Sequence, residues 1–361
     1  MNDNAQKGHG RLASLDALRG FDMVWIMGLG AVVTAFCQFF PSSAPMRWIC
    51  SQMHHAHGIG FTFHDLIFPL FLFMAGVSWP FSYASQKRRG ATPAAVHLRI
   101  LRRVLVLAAL QMLQSGMLHF DASKYTYPSV LVRIALSWAL AALVYIHCRP
   151  KARVAVAVFG VLAYWALLEF VPSPLLPAGQ QFDYTDWTTS HVAWVDRYVS
   201  FRALFGHDPF ERMDIPLSVV QVPLALLGMF AGDIVRREGW APARRSAALA
   251  VLGAALVAAG LAFAACGCPV HKNLSTASFM LLAGGLSCLL LALFHYIIDV
   301  RGWSGWASPF CVVGQNSIVA YLLPGLVGFF PSAPIVGALG RLSLRWLILW
   351  MLSRAKIFLK A

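Results

Sequence analysis

The chain has 361 residues, 58% of them hydrophobic and 12% charged, against roughly 25% charged in a soluble domain. A water-soluble domain of this length could not hide so much apolar surface, and 13% aromatics with few acids exclude disorder. The net charge of +14 comes from 29 Lys and Arg against 15 Asp and Glu. In a chain this apolar it reads as the basic loops of a membrane protein, so no nucleic-acid partner is expected.

A span needs about 20 mostly apolar residues. The first twenty residues are polar and show no cleavable signal. Apolar runs then follow at 21–40, 66–84, 104–118, 129–146, 154–171, 215–235, 247–265, 277–298, 309–327 and 342–359. They predict an all-α polytopic transmembrane bundle of about ten spans, one domain over 1–361, with the third and last runs short or weak. With the N-terminus placed in the cytoplasm, 20 Lys and Arg fall on that side and 8 on the other, with Arg133 inside a span. This asymmetry predicts cytoplasmic N- and C-termini and a multi-pass protein of the inner membrane of a bacterium. No Asp or Glu is expected mid-span, and no internal repeat is visible, which argues against a proton- or sodium-coupled transporter. The seven cysteines form no disulfide framework.

Two external loops stand out. The first, 41–64, carries Met53-His54-His55-Ala56-His57 and ends at Thr62-Phe63-His64-Asp65. A neutral imidazole can move a proton near pH 7 or carry an acyl group, and this cluster lies at the mouth of the second span. The competing readings are a metal site, for which Cys or carboxylate partners at good spacing are missing, and solvated loop histidines. The second loop, 172–213, is rich in Asp, Tyr and Trp, including Asp183, Asp186, Asp196, Asp208 and Glu211. Its composition suits a carbohydrate, or simply an interfacial aromatic belt.

Asp65 opens the second span, where an acid caps a helix and favours its dipole. Asp16 and Arg19, three apart, could form a structural clasp. Arg133 lies five residues into an apolar run, where a charge faces a bundle interior or snorkels. Asn273, and Asn316 within Gln315-Asn316-Ser317, are amides that need partners, as interhelical glue or as tunnel lining.

Six ordered blocks carry a resemblance over nearly the whole chain. They are Arg11-Leu-Ala-Ser-Leu-Asp16-Ala-Leu-Arg19-Gly20-Phe-Asp-Met, then His55 ten residues before Asp65-Leu-Ile-Phe-Pro69-Leu-Phe-Leu-Phe-Met-Ala-Gly76-Val-Ser78, then Val130-Leu-Val-Arg133-Ile-Ala-Leu. Asp208-Pro-Phe-Glu211, Lys272-Asn273-Leu-Ser-Thr-Ala-Ser-Phe279 and Gly314-Gln-Asn316-Ser-Ile-Val-Ala-Tyr321 complete the set. The chain resembles the heparan-alpha-glucosaminide N-acetyltransferase family and its bacterial DUF5009-type membrane acyltransferase relatives, without the large lumenal N-terminal domain of the eukaryotic members. Gly30, Gly58 and Val132 depart from the family pattern.

The resemblance implies transfer of an acetyl group from cytosolic acetyl-CoA to an amino sugar or glycan across the membrane. His55 matches the family's active-site histidine, as base or acyl carrier, with Asp65 beside it. Arg19, Arg99, Arg102 and Arg103 are expected to hold the CoA phosphates, and Arg133, Asn273 and Asn316 to line the tunnel or bind the oxyanion. No permanently bound cofactor or metal is implied. The partners implied are acetyl-CoA, an extracytoplasmic sugar or glycan acceptor, membrane lipids and a second copy in a homodimer. The competing functions are a non-catalytic carrier or exporter of a polar lipid or sugar, and a scaffold subunit.

Overall fold

The computed structural model describes residues 12–114, 130–177, 179–198, 214–327 and 334–359. Within them every long apolar run folds as α-helix, and the one β feature is an isolated bridge between Ile59 and His271. The helices are α1 (Ala13–Cys37), α2 (Ala44–Gln52), α3 (Phe63–Arg88), α4 (Pro93–Gln114), α5 (Val130–His147), α6 (Pro150–Phe170) and α7 (His191–Tyr198). They continue with α8 (Pro216–Arg236), α9 (Pro242–Ala265), α10 (Ala277–Val300), α11 (Ser308–Gln315), α12 (Ser317–Leu326) and α13 (Pro334–Arg354).

Eight of these are long and apolar enough to cross a membrane. Two departures from the expected ten have physical causes. The ninth run is not one rod, because α11 and α12 meet at Asn316 and bend by 70°. The third run lies on α4, whose first half carries His97, Arg99, Arg102 and Arg103 and is too polar to qualify with the others; residues 115–118 fall outside the described region. The first span also starts earlier than its apolar run. The helix begins at Ala13, so Asp22 lies nine residues inside it and is 1% exposed. The expectation that no acid sits at depth is therefore wrong. The hydropathy run begins only at Phe21, which sets Asp22 at its edge, whereas a helix continues through polar residues that its neighbours bury.

The centre of the bundle is α3, α8 and α10, each with 67% of its apolar window buried, whereas α6 and α9 have 17% and form the lipid-facing rim. Lipid supplies no hydrophobic drive between helices, so close packing must hold them. Gly76 on α3 and Gly228 and Gly232 on α8 bring the two backbones together; a Cβ at any of them would collide with a carbonyl of the facing helix. Gly20 on α1 and Gly314 on α11 do the same for that pair. Within α1 the helix turns irregular over Trp25–Leu29, with Gly28 at φ 135°. The buried Arg345 of α13 donates to the Met27 carbonyl exposed there and to Val327 O at 2.7 Å. A cation deep in the bundle thus satisfies backbone acceptors that lipid could not.

Candidate functional site

The site begins with a helix cap. Asp65 sits three residues after Thr62, the N-cap of α3, and the two form a capping box. Asp65 Oδ2 accepts from the backbone N–H groups of Thr62 and Ala56, both at 3.1 Å. That leaves Oδ1 for His55, whose Nδ1 stands 2.8 Å away. The carboxylate is fully buried, while the imidazole side chain is 55% exposed. A buried acid holding the Nδ1 edge of a half-exposed ring fixes the orientation of that ring.

A third group joins them from 217 residues away. The Ile59–His271 bridge and the 2.8 Å bond from Gly60 N to Val270 O staple the first loop to the turn before α10. This brings Lys272 Nζ to 3.2 Å from Asp65 Oδ1 and to 2.7 Å and 3.1 Å from the two ring nitrogens of His55. Burial lowers the Lys272 pKa, opposed by the Asp65 carboxylate, with the Arg133 charge adding to the lowering. The turn itself is strained. Ser275 has φ 50°, an unfavoured left-handed conformation for a side-chain-bearing residue. Its fully buried hydroxyl accepts from Gln221 Nε2 at 2.7 Å and from Arg133 Nη2 at 3.1 Å. Arg133 also donates to Gln221 Oε1 at 2.9 Å and stacks over Phe68 at 4.7 Å. The half-buried arginine therefore points into the bundle rather than snorkelling.

His55, His64, Arg133, Gln221 and Lys272 open on one cavity of about 190 Å³, whose apolar wall includes Met23, Phe68, Phe71 and Phe279. The His64 ring lies 4.4 Å from that of His55. A second cavity, of about 460 Å³, is lined by Arg99, Arg102 and Arg103 with Ser78, Ser82, Gln86, Trp79 and Trp138. Arg103 lies over the Trp138 ring at 4.1 Å. Arg19 donates to Ser78 on this cavity's wall and pairs with Asp16 at 3.4 Å, so the expected clasp forms.

The two cavities share helix faces. On α3, His64, Phe68 and Phe71 line the first, and Ser78, Ser82 and Gln86 the second, at steps of three, four and seven residues that follow one face. On α5, Arg133 and Ile134 line the first and Trp138 the second. From Ser78 to His64 is fourteen residues, about 21 Å along the helix.

No family model matches the chain. It is 24% identical over 368 residues to human heparan-alpha-glucosaminide N-acetyltransferase, covering 86% of this chain and 52% of that protein. The mouse protein of the same name is 24% identical over 367 residues, covering 86% of this chain and 54% of its own length. The chain is distantly related to heparan-alpha-glucosaminide N-acetyltransferases. It spans about half the length of these curated relatives.

Of the residues singled out in the sequence, His55 and Asp65 meet, Arg99, Arg102 and Arg103 line the second cavity with Arg19 bonded to Ser78 on its wall, and Arg133 joins the first. The two amides line neither cavity. Asn273 is exposed and lines neither cavity; its neighbour Lys272 is the one turned inward. Asn316 is fully buried, but its Nδ2 donates to Ile357 O at 2.9 Å and its Oδ1 accepts from Leu359 N at 3.1 Å. It ties the break between α11 and α12 to the C-terminal segment. Lys272 and His64 went unassigned because only the bridge at Ile59 brings the former to Asp65, and only the helical turn brings the latter over His55. Among the described residues no group of three or more His, Cys, Asp or Glu converges as a metal site. Asp208 and Glu211 lie outside the described region.

Proposed function

We propose that this multi-pass membrane protein is an acyltransferase that moves an acetyl group from cytosolic acetyl-CoA to an extracytoplasmic amino sugar or glycan. The observation that carries the reading is the pair of cavities on common faces of α3 and α5, one ending at His55–Asp65–Lys272 and the other lined by arginines. The basic cavity fits a polyphosphate donor, because guanidinium groups bind phosphate through paired charged hydrogen bonds. Trp79 and Trp138, edge to face at 5.1 Å, give it an aromatic floor. The charged nucleotide stays at that end, on the cytoplasmic side. The thin thioester arm extends about 21 Å toward His55.

In this reading Asp65 holds His55 with Nδ1 protonated, and Nε2 takes a proton from the acceptor amine or hydroxyl as it attacks the thioester carbonyl. The acyl carbon gains the acceptor nitrogen or oxygen and loses sulfur, and the CoA thiolate takes the proton back from His55. Lys272 and Arg133 supply positive charge beside the developing oxyanion. The reading with His55 as transient acyl carrier uses the same atoms in two steps.

The test is transfer of label from acetyl-CoA by the purified full chain in lipid. Wild type should transfer and His55→Ala should not, at equal expression. Acyl turnover that survives His55→Ala sinks the proposal. Transport of a polar lipid or sugar, with no acyl chemistry in wild type, would establish the carrier reading instead. Mass spectrometry of envelope glycans from a deletion strain would identify the acceptor.

A further inference from the structure

The proposed reaction makes no use of Asp22, yet its position in the bundle is costly. Asp22 is 1% exposed inside α1, and among the described residues neither carboxyl oxygen has a hydrogen-bond partner. Its neighbours one turn back are engaged elsewhere: Arg19 reaches Asp16 and Ser78. Unpaired acids at bilayer depth are expensive, and those that persist serve a bound or moving group.

The location narrows what that group is. Along α1, Arg19 contacts Ser78 on the wall of the arginine cavity, while Met23 and Ile26 line the His55 cavity. Asp22 lies between these points along α1, one turn beyond Arg19 and one turn before Ile26, and lines neither cavity itself. On the facing stretch of α3, the residues between Phe71 and Ser78 are Leu72, Phe73, Met74, Ala75, Gly76 and Val77, all apolar and all buried. An arm of pantetheine type passing here brings secondary amides against Asp22 and a largely apolar wall, with Trp25 Nε1 the next buried polar atom along α1.

We propose that Asp22 is the hydrogen-bond acceptor for an amide N–H of the donor's pantetheine arm, between the arginine cavity and the His55 cavity. The inference rests on the acyltransferase reading above. It makes Asp22 a specificity residue for donors that carry an amide at that depth.

The experiment compares wild type, Asp22→Asn and Asp22→Leu, in lipid, with acetyl-CoA and with two acetyl-CoA analogues in which one or the other arm amide N–H is replaced by oxygen. Asp22→Leu should raise the donor KM for acetyl-CoA about ten- to a hundredfold. One analogue should be used by wild type as poorly as acetyl-CoA is by Asp22→Leu, with no further loss when both changes are combined. Asp22→Asn, which keeps an acceptor oxygen, should fall between. If Asp22→Leu does not fold, the wild-type and Asp22→Asn comparison across the donors decides by itself. Equal use of all three donors by wild type overturns the inference. So does a fall in kcat at unchanged donor KM, which would mark Asp22 as a proton-moving group. A wild-type chain that neither binds nor uses acetyl-CoA overturns the acyltransferase reading. An active wild type with donor KM indifferent to Asp22 overturns this inference alone.

Discussion

The two ends of the bundle solve opposite electrostatic problems. At the His55 end, charges are few, mutually paired and partly withdrawn from water: Asp65 is fully buried, Lys272 is held against it, and Arg133 is locked by Gln221 and Ser275. At the other end, Arg99 and Arg102 are exposed, Arg103 is half-buried over Trp138, and the cavity lining contains no carboxylate. The first arrangement fixes atoms in place, which suits chemistry at a defined point. The second presents surplus positive charge, which suits capture of a mobile anion. A transferase that meets its donor and acceptor at different faces needs one of each.

The sharpest way to break this contrast is at the imidazole. His55→Ala should lower acetyl transfer by about 10²- to 10⁴-fold while leaving donor binding at the arginine cavity unchanged, measured as label transfer and as acetyl-CoA binding on the same preparation. Parallel loss of both would mean that the ends are not separate devices. Next in size, Arg102→Gln and Arg103→Gln should each raise the donor KM about tenfold with kcat nearly constant, and the effect should shrink as salt rises; a change confined to kcat would contradict the capture role.

Lys272 sharpens the comparison through pH. Burial holds its pKa below the ordinary lysine range, so raising the pH removes its proton earlier than for a free lysine, and the cation beside Asp65 is lost. Activity should therefore fall on an alkaline limb placed below normal lysine titration. Lys272→Arg should move that limb upward, because a guanidinium stays charged. A pH–rate profile identical in wild type and Lys272→Arg would refute the assignment. The smallest effects belong to the two amides. Asn316→Ala should cost about 1–3 kcal/mol of stability through its two lost backbone bonds, seen as a lower thermal midpoint with donor KM unchanged. Asn273→Ala should alter neither.

Composition and the apolar runs made the helical membrane class legible, because lipid forces every spanning segment to satisfy its own backbone. The local spacing of Thr62 and Asp65 announced the helix cap, and the family-like blocks pointed to His55. What the linear chain could not show was which distant groups meet. Lys272 reaches Asp65 only through the bridge at Ile59, and Asn273, one residue on, turns to the outside. Arg133 and Ser275 are 142 residues apart in sequence but 3.1 Å apart in space.

The sequence by itself determined the class of protein, the run of most of its helices and the residue types fit for chemistry, since hydropathy and capping act over a few residues. Tertiary structure decided that Asp22 is buried, that Asn316 is a tie for the C-terminal segment and that the arginines and the imidazole open on the same helix faces. Those facts depend on which faces of separate helices touch, and that is settled by close packing between backbones rather than by any local pattern.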